Sequence, residues 1–348
     1  MPLLRKLGRY GPEAGAIGLG TFSFSHAYGR ADSAESLRTL NRALELGCTL
    51  VDTADGYGAG ENERWLGRAL EGRRNAVVLG TKVGLACDQD GKVVGRDGRP
   101  ETLRCAIDAS LKRLRTDVLD LCTLHRIDPA VPVEESIGAM AEAVAEGKVR
   151  LLGLSEVEPA ELLRANTVHS IAAVQSEFAL WTREPEHEMI PLCEQMGAAF
   201  VAFSPLRRGL FAAPQSLSFE EGDFRRLLPR FQPENLTRNV NLAETVRAIA
   251  ARRGATASQV ALAWVLRAGP HVFAIVGTRS SVHLEENLGA QNLSLTSEEI
   301  EELDRTFAPD TVGGERYAEG SIFGPNSRQS SMQQSTDSTD HEAGEQQG

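Results

Sequence analysis

Long apolar runs, paired cysteines and metal-binding motifs are all missing from this 348-residue chain. No run approaches the ~20 apolar residues that a membrane span needs. The N-terminal stretch MPLLRKLGRYGPEAG lacks the apolar centre of a signal peptide. There is no H-E-x-x-H motif, no Cys/His cluster and no C-x-x-C pair. We therefore expect a cytoplasmic protein with reduced thiols, no metal site and no membrane contact.

Basic and aromatic side chains are also scarce. The chain has 37 basic against 48 acidic side chains, a formal net charge of −11. Broad nucleic-acid binding needs clustered Lys and Arg, so this charge argues against it, although a local basic pocket can still bind a small anion. Aromatic residues make up 5% of the chain, whereas all hydrophobic residues together make up 41%. This balance is typical of an α/β enzyme with an aliphatic core.

Short apolar runs alternate with longer amphipathic stretches along most of the chain. Near-continuous apolar runs are typical of parallel strands that are buried on both faces. Eight strand–helix units over about 300 residues predict a (β/α)₈ barrel, with an open doubly wound sheet as the alternative. The predicted strands are centred near residues 18, 51, 79, 121, 152, 174, 201 and 275.

Three segments fall outside the alternation. The first ten residues are expected to form a short hairpin at the bottom of the barrel. Residues 207–236 are longer than a usual strand–helix connection, so we expect them to contact a ligand. Residues 1–324 are predicted to form one barrel domain. Residues 325–348 carry almost no apolar side chains and are predicted to be a disordered acidic tail.

Polar side chains follow three consecutive predicted strands. Asp52, Lys82 and His125 stand at the ends of strands two, three and four, and Tyr57 lies in the loop after Asp52. Barrel enzymes carry their chemistry at the C-terminal ends of the strands, where neighbouring strands share one rim. We therefore expect these four side chains to converge.

The four residue types suit proton transfer to a carbonyl oxygen. A free phenol has a pKa of ~10 and is a weak acid near neutrality. We expect the Lys82 ammonium to lower the pKa of Tyr57, and Asp52 to balance the charge of Lys82. His125 can hydrogen-bond the substrate oxygen. The set predicts carbonyl reduction, in which hydride reaches carbon while a proton reaches oxygen.

The stretch VDTADGYGAGENERWLGRAL resembles the signature of the aldo-keto reductases, which are NADP(H)-dependent barrel oxidoreductases. Further motifs follow in the family's order over roughly residues 14–307: GTKVG, LHRIDP, GKVRLLGLS and GTRSSVHLEEN. The resemblance implies that Asp52, Tyr57, Lys82 and His125 form the catalytic tetrad, with Tyr57 as the general acid. It also implies reduction of aldehyde or ketone carbonyls to alcohols by hydride transfer, that is, an NAD(P)H-dependent oxidoreductase.

The resemblance further implies a cofactor site, with NADP(H) favoured over NAD(H). Ser155 and Gln175 match residues that hold the nicotinamide carboxamide, and Phe203 matches an aromatic residue that stacks on the ring. Further positions implied to contact the cofactor are Ser204, Leu206, Gly209, Gly277, Thr278, Arg279, His283, Glu286 and Asn287. Among these, Thr278 and Arg279 suit a 2′-phosphate, while His283 stands where Arg is frequent.

Two positions depart from the family pattern. Glu156 follows Ser155 where an Asn is usual, and a carboxylate cannot donate the hydrogen bond that this Asn gives to the carboxamide. Arg207 replaces a common Gly, and its side chain is expected either to meet the pyrophosphate or to point outward. Phe22, His26 and Trp181 are predicted to line the substrate pocket.

Other functions remain open at this point. An NADPH-binding regulatory protein of the potassium-channel β-subunit type would share the fold but show little turnover. A barrel isomerase or lyase would use Lys82 as a Schiff base. For the reductase we expect a small-molecule carbonyl substrate and a monomer or weak homo-oligomer.

Overall fold

Eight parallel strands close into a barrel in this computed structural model, which describes residues 2–25, 31–89, 91–211, 219 and 221–324. The strands are β1 Leu4–Lys6, β2 Glu13–Gly15, β3 Ile17–Gly20, β4 Leu50–Asp52, β5 Val78–Val83, β6 Leu85–Cys87, β7 Val93–Arg96, β8 Leu119–Leu124, β9 Val149–Ser155, β10 Ile171–Glu177, β11 Ala199–Phe203 and β12 Val272–Val276. The barrel consists of β3, β4, β5, β8, β9, β10, β11 and β12, and β12 pairs with β3 to close it. The predicted eight-stranded barrel is confirmed, and the open sheet is excluded.

Helices separate the barrel strands and cover the outside of the barrel. They are α1 Ser33–Glu45, α2 Glu61–Ala69, α3 Pro100–Leu114, α4 Val133–Ala145, α5 Pro159–Val168, α6 Met189–Met196, α7 Pro233–Arg253, α8 Ala257–Leu266, α9 Ser281–Leu288 and α10 Ser297–Thr306. Local sequence sets their ends. The Asp32 side chain caps α1, and Gly254 ends α7 with φ +60°, a conformation that favours glycine.

The barrel interior is closed at the N-terminal end of its strands. β1 pairs with β2 in an antiparallel hairpin, as expected, although the hairpin extends to Gly15, beyond the first ten residues. Leu7 in its turn is fully buried and packs with the interior side chains of the barrel, which include Leu50, Val201 and Phe273. The hairpin therefore fills the bottom of the barrel and leaves the opposite rim for ligands.

Long connections surround that rim. The segment after β5 forms a second antiparallel hairpin from β6 and β7. The segment after β11 contains short 3₁₀ turns at Arg207–Gly209, Phe224–Leu227 and Pro229–Phe231. Of the sequence predictions, His26 and the tail 325–348 lie outside the described residues. No helix among the described residues is long and apolar enough to cross a membrane.

Truncating Phe273 to Ala is expected to lower the free energy of unfolding by about 3–5 kcal/mol, because this fully buried ring fills the barrel interior. Leu163→Ala on the outer face of α5, where the side chain is 50% exposed, is the matched control. Its effect should stay within about 0.5 kcal/mol. Urea unfolding of both variants measures the difference, and equal losses would contradict the assignment of the interior.

Candidate active site

A cleft of about 740 Å³ opens at the C-terminal ends of the barrel strands. This volume lies within the ~300–1,000 Å³ that is usual for ligand and cofactor sites. The predicted residues that line it are Phe22, Asp52, Tyr57, His125, Ser155, Gln175, Phe203, Ser204, Leu206, Gly209, Gly277, Thr278, Arg279 and His283. Lys82 lies directly behind Tyr57, while Glu286 and Asn287 on α9 are outside the lining.

Asp52, Lys82 and Tyr57 form a connected set at the floor of the cleft. Lys82 Nζ donates to Asp52 Oδ2 at 2.5 Å, to the Thr53 carbonyl at 2.7 Å and to Tyr57 Oη at 3.2 Å. The Lys82 side chain is only 2% exposed. Gln175 Nε2 donates to the other Asp52 oxygen at 3.2 Å. The neighbouring strands β4 and β5 therefore bring phenol and ammonium together as the sequence suggests.

Burial and neighbouring charges determine the protonation states of Lys82 and Tyr57. Burial would lower the pKa of Lys82, but Asp52 and Tyr57 outweigh it and raise the pKa, so the ammonium stays charged. For Tyr57, burial raises the pKa, and Lys82 offsets only part of that increase because Asp52 acts in the opposite direction. Lys82 therefore lowers the pKa of Tyr57 as expected, but burial outweighs it and the net shift is upward. The phenol keeps its proton.

His125 follows β8 and faces Tyr57, with 6.0 Å between the ring centroids. Burial, Arg126 and Lys82 together hold the pKa of His125 well below its usual value, so the imidazole is neutral near pH 7. Its Nδ1 atom is buried without a hydrogen-bond partner. A neutral imidazole can donate one hydrogen bond to a carbonyl oxygen without competing with Tyr57 as the acid.

The predicted nicotinamide side of the cleft consists of the ends of β9, β10 and β11. Ser155 Oγ accepts a hydrogen bond from Arg126 Nη1 at 3.0 Å and retains its own hydrogen for a ligand. The half-buried Phe203 ring lines the same region. Gly277, Thr278, Arg279 and His283 lie around the start of α9 at the far end of the cleft. A cleft of this volume that combines an aromatic ring with the polar and basic side chains around α9 suits a dinucleotide.

Glu156 does not face the cleft as a replacement for the usual Asn. Its backbone has φ +55°, a left-handed conformation that is uncommon for residues other than glycine. Glu156 Oε1 accepts from the Glu177 amide at 2.7 Å, and Oε2 accepts from Arg316 Nη2 at 2.6 Å. The carboxylate is thus engaged away from the barrel mouth.

The Arg207 side chain points neither to the pyrophosphate region nor outward, which were the two expected directions. The side chain is buried, and its guanidinium lies over the Trp181 ring, 3.2 Å from the centroid. Arg207 Nη1 donates to Thr182 Oγ1 at 3.0 Å and to Glu177 Oε1 at 3.3 Å. Residue 207 has φ +58°, so the backbone turns the side chain inward rather than toward the pyrophosphate region or solvent.

Of the predicted substrate-pocket residues, Phe22 lines the cleft, and its ring centroid lies 4.8 Å from that of Tyr57. Trp181, also predicted to line the substrate pocket, does not line this cleft. That side chain is 4% exposed and packs beneath Arg207 and against Phe231, outside the cleft. His26 lies outside the described residues.

Several cleft residues were not predicted. Phe224 and Arg225 lie in the long connection after β11, in the segment 207–236 for which ligand contact was expected. Tyr317 and Phe323 come from the segment after α10, beyond the family motifs. The only sequence signal for the latter two was an aromatic pair in RYAEGSIF, between the last helix and the polar tail.

Comparison with known proteins gives consistent matches. A model of the Aldo/keto reductase family matches residues 16–307. A glycerol dehydrogenase from Gluconobacter oxydans is 29% identical, with a TM-score of 0.80 over 91% of this chain and 99% of that one. An aldo/keto reductase from Klebsiella pneumoniae, solved with NADP and acetate, is 28% identical, with a TM-score of 0.68 and the same coverage. The thermostable aldo-keto reductase Tm1743, solved with the inhibitor epalrestat, is 32% identical, with a TM-score of 0.69 over 87% of this chain and 99% of that one.

Lys82→Met is expected to destabilise the protein by about 3–5 kcal/mol, because it leaves the buried Asp52 carboxylate without its partner. Adding Asp52→Asn should recover part of this loss, since the double variant buries no unpaired charge. Urea unfolding of both variants measures the effect. Arg115→Met, which breaks an exposed ion pair with Glu71, is the control and should unfold close to wild type. A double variant less stable than Lys82→Met would contradict the role of the pair.

Asp55, a neighbour of Lys82, leads to a prediction of how stability changes with pH. Its amide donates to the Lys82 carbonyl at 3.0 Å, and its Oδ1 atom is buried without a partner. Burial and the nearby Glu63 raise the pKa of Asp55 from 3.8 to about 7. The folded state therefore binds more protons than the unfolded state between these values.

The stability of wild type relative to Asp55→Asn should thus be greatest below pH 3.8 and fall until about pH 7. Chemical unfolding across this range measures the difference. Asp117→Asn, at an exposed position, is the control. A difference between wild type and Asp55→Asn that stays constant with pH would show that folding does not shift the pKa of Asp55.

Proposed function

The chain belongs to the aldo/keto reductase family, and on this premise we propose that it reduces aldehyde or ketone carbonyls to alcohols with NADPH. The observation that carries the proposal is the 3.2 Å contact between Tyr57 Oη and the buried ammonium of Lys82 at the floor of the cleft. This contact supports Tyr57 as the proton donor, because it holds a protonated phenol beside an ammonium in the lining of the cleft.

The proposed reaction divides between the cofactor and the protein. When bound, NADPH would supply the hydride for the carbonyl carbon. Tyr57 donates its proton to the carbonyl oxygen as negative charge develops there, and is later reprotonated from solvent. The charged Lys82 stabilises the resulting phenolate, and Asp52 keeps Lys82 charged and in place. Neutral His125 orients the oxygen by a hydrogen bond.

NADP(H) is the proposed cofactor, in preference to NAD(H). The similar reductase from Klebsiella pneumoniae was solved with NADP. In this chain, Thr278 and Arg279 precede α9 and line the cleft together with His283. The Arg279 guanidinium and the Thr278 hydroxyl supply the donors that a 2′-phosphate requires. Ser155, Gln175 and Phe203 would hold the nicotinamide end, and Leu206 and Gly209 would approach the pyrophosphate.

Tyr57→Phe is expected to lower carbonyl turnover by about 10²–10⁴-fold while the Kd for NADPH stays near that of wild type, because only the transferable proton is lost. NADPH oxidation with a panel of aldehydes and ketones measures turnover. Titration with NADPH and NADH, followed by fluorescence, measures cofactor affinity.

Turnover that persists in Tyr57→Phe would refute the proposed proton donor. If the wild-type protein binds NADPH tightly but none of the tested carbonyls causes NADPH oxidation, the result would favour a nucleotide-sensing protein instead. Arg115→Met, on the outer surface, controls for non-specific effects of substitution and should keep wild-type turnover.

A further inference from the structure

The segment 312–324, called here the C-terminal strap, supplies part of the cleft wall. Tyr317 and Phe323 both line the cleft. The Phe323 ring lies 5.8 Å from that of Phe224, which lies 6.3 Å from that of Phe22. Phe22 in turn lies 4.8 Å from Tyr57. An aromatic wall therefore runs from the proposed proton donor to the strap.

Side chains of the barrel rim bind the backbone of the strap. Arg96, at the end of β7, donates to the Ile322 carbonyl at 2.9 Å and to the Gly324 carbonyl at 2.6 Å. Arg126 donates to the Phe323 carbonyl at 2.9 Å. The same Arg126 donates to Ser155 Oγ at 3.0 Å. The strap is thus joined to a residue of the predicted cofactor site.

A buried ion pair anchors the other end of the strap. Arg316 Nη2 lies 2.6 Å from Glu156 Oε2, and the two side chains are 15% and 2% exposed. Glu177 lies 3.7 Å from Arg316 Nε and forms the rear of the same cluster. Although burial alone would raise the pKa of Glu177, Arg316 and Arg207 hold it at about 2, so Glu177 stays ionised. Removing one partner of such a pair leaves an uncompensated buried charge.

Glu156 connects this anchor to the predicted cofactor site. Glu156 directly follows Ser155, so it stands at the junction between the predicted cofactor site and the strap. Its φ of +55° directs the carboxylate to the strap and to the Glu177 amide. Strained backbone of this kind persists where the surrounding contacts hold it.

We propose that Glu156 is a positioning residue that acts through Arg316. It holds the strap against the rim and so fixes the aromatic wall of the cleft, rather than contacting the cofactor. The inference rests on the proposed reductase function for its kinetic consequence. Its structural part, the anchoring of the strap, does not depend on turnover.

Glu156→Gln, Arg316→Gln and the double variant test the pair. Each single variant should raise the KM for a carbonyl substrate by about tenfold, while kcat and the Kd for NADPH stay within about twofold of wild type. The double variant should resemble the single variants, because both changes remove the same contact. Phe323→Ala leaves the ion pair intact and should raise KM in the same way by opening the wall.

Glu142→Gln and Arg104→Gln provide the matched control. That pair has the same 2.6 Å Arg–Glu contact, but it lies exposed on α3 and α4. Both control variants should keep the wild-type KM, kcat and Kd. Thermal unfolding of all variants identifies any that fail to fold. If the ion-pair variants fail to fold, the KM of Phe323→Ala tests whether the strap forms part of the substrate site.

Hydrogen exchange read by mass spectrometry supplies a measure independent of activity. Exchange over residues 312–324 should be faster in Glu156→Gln and Arg316→Gln than in wild type and the surface controls. Unchanged exchange in both variants would overturn the anchor. Weakened NADPH binding by Glu156→Gln with an unchanged KM would instead assign Glu156 to the cofactor. If wild type reduces no carbonyl yet exchange still rises, the reductase proposal fails and the anchor stands.

Discussion

The buried contact between Lys82 and Asp52 is the constraint around which the mouth of the barrel is organised. An ammonium that is 2% exposed can stay charged only with a carboxylate at hydrogen-bond distance. β4 and β5 are adjacent and in register, so the pair forms without distortion of the sheet. Tyr57 then takes the third hydrogen-bond position on the ammonium. The phenol that suits proton donation is thereby fixed by the packing of two strands.

A second group of buried charges lies behind the rim and serves a different purpose. Glu177, at the end of β10, lies within 4.0 Å of guanidinium atoms of Arg207, Arg208, Arg230 and Arg316. These arginines come from the connection after β11 and from the C-terminal strap. One carboxylate at a strand end therefore joins two separate segments of irregular backbone. Loops that contain little regular structure acquire fixed positions in this way.

The fold and the convergence of Asp52, Tyr57, Lys82 and His125 at one rim could be predicted, because both follow from where the apolar runs begin and end. Eight apolar runs each made one strand, and parallel closure placed the residues after them on one rim. The directions of several side chains could not be predicted, because contacts between distant parts of the chain determine them. Arg207 turns inward, Trp181 packs beneath it, and Glu156 faces Arg316, because positive φ angles and buried partners set these directions. The net pKa shift of Tyr57 depends on burial, which no spacing of residues reveals.

The β1–β2 hairpin restricts the route by which ligands reach the cleft. Because Leu7 packs inside the barrel, the described part of the chain offers no passage along the barrel axis from below. Among the described residues, the cleft therefore opens only at the rim formed by the C-terminal ends of the strands, and a ligand of the cleft enters and leaves on that side.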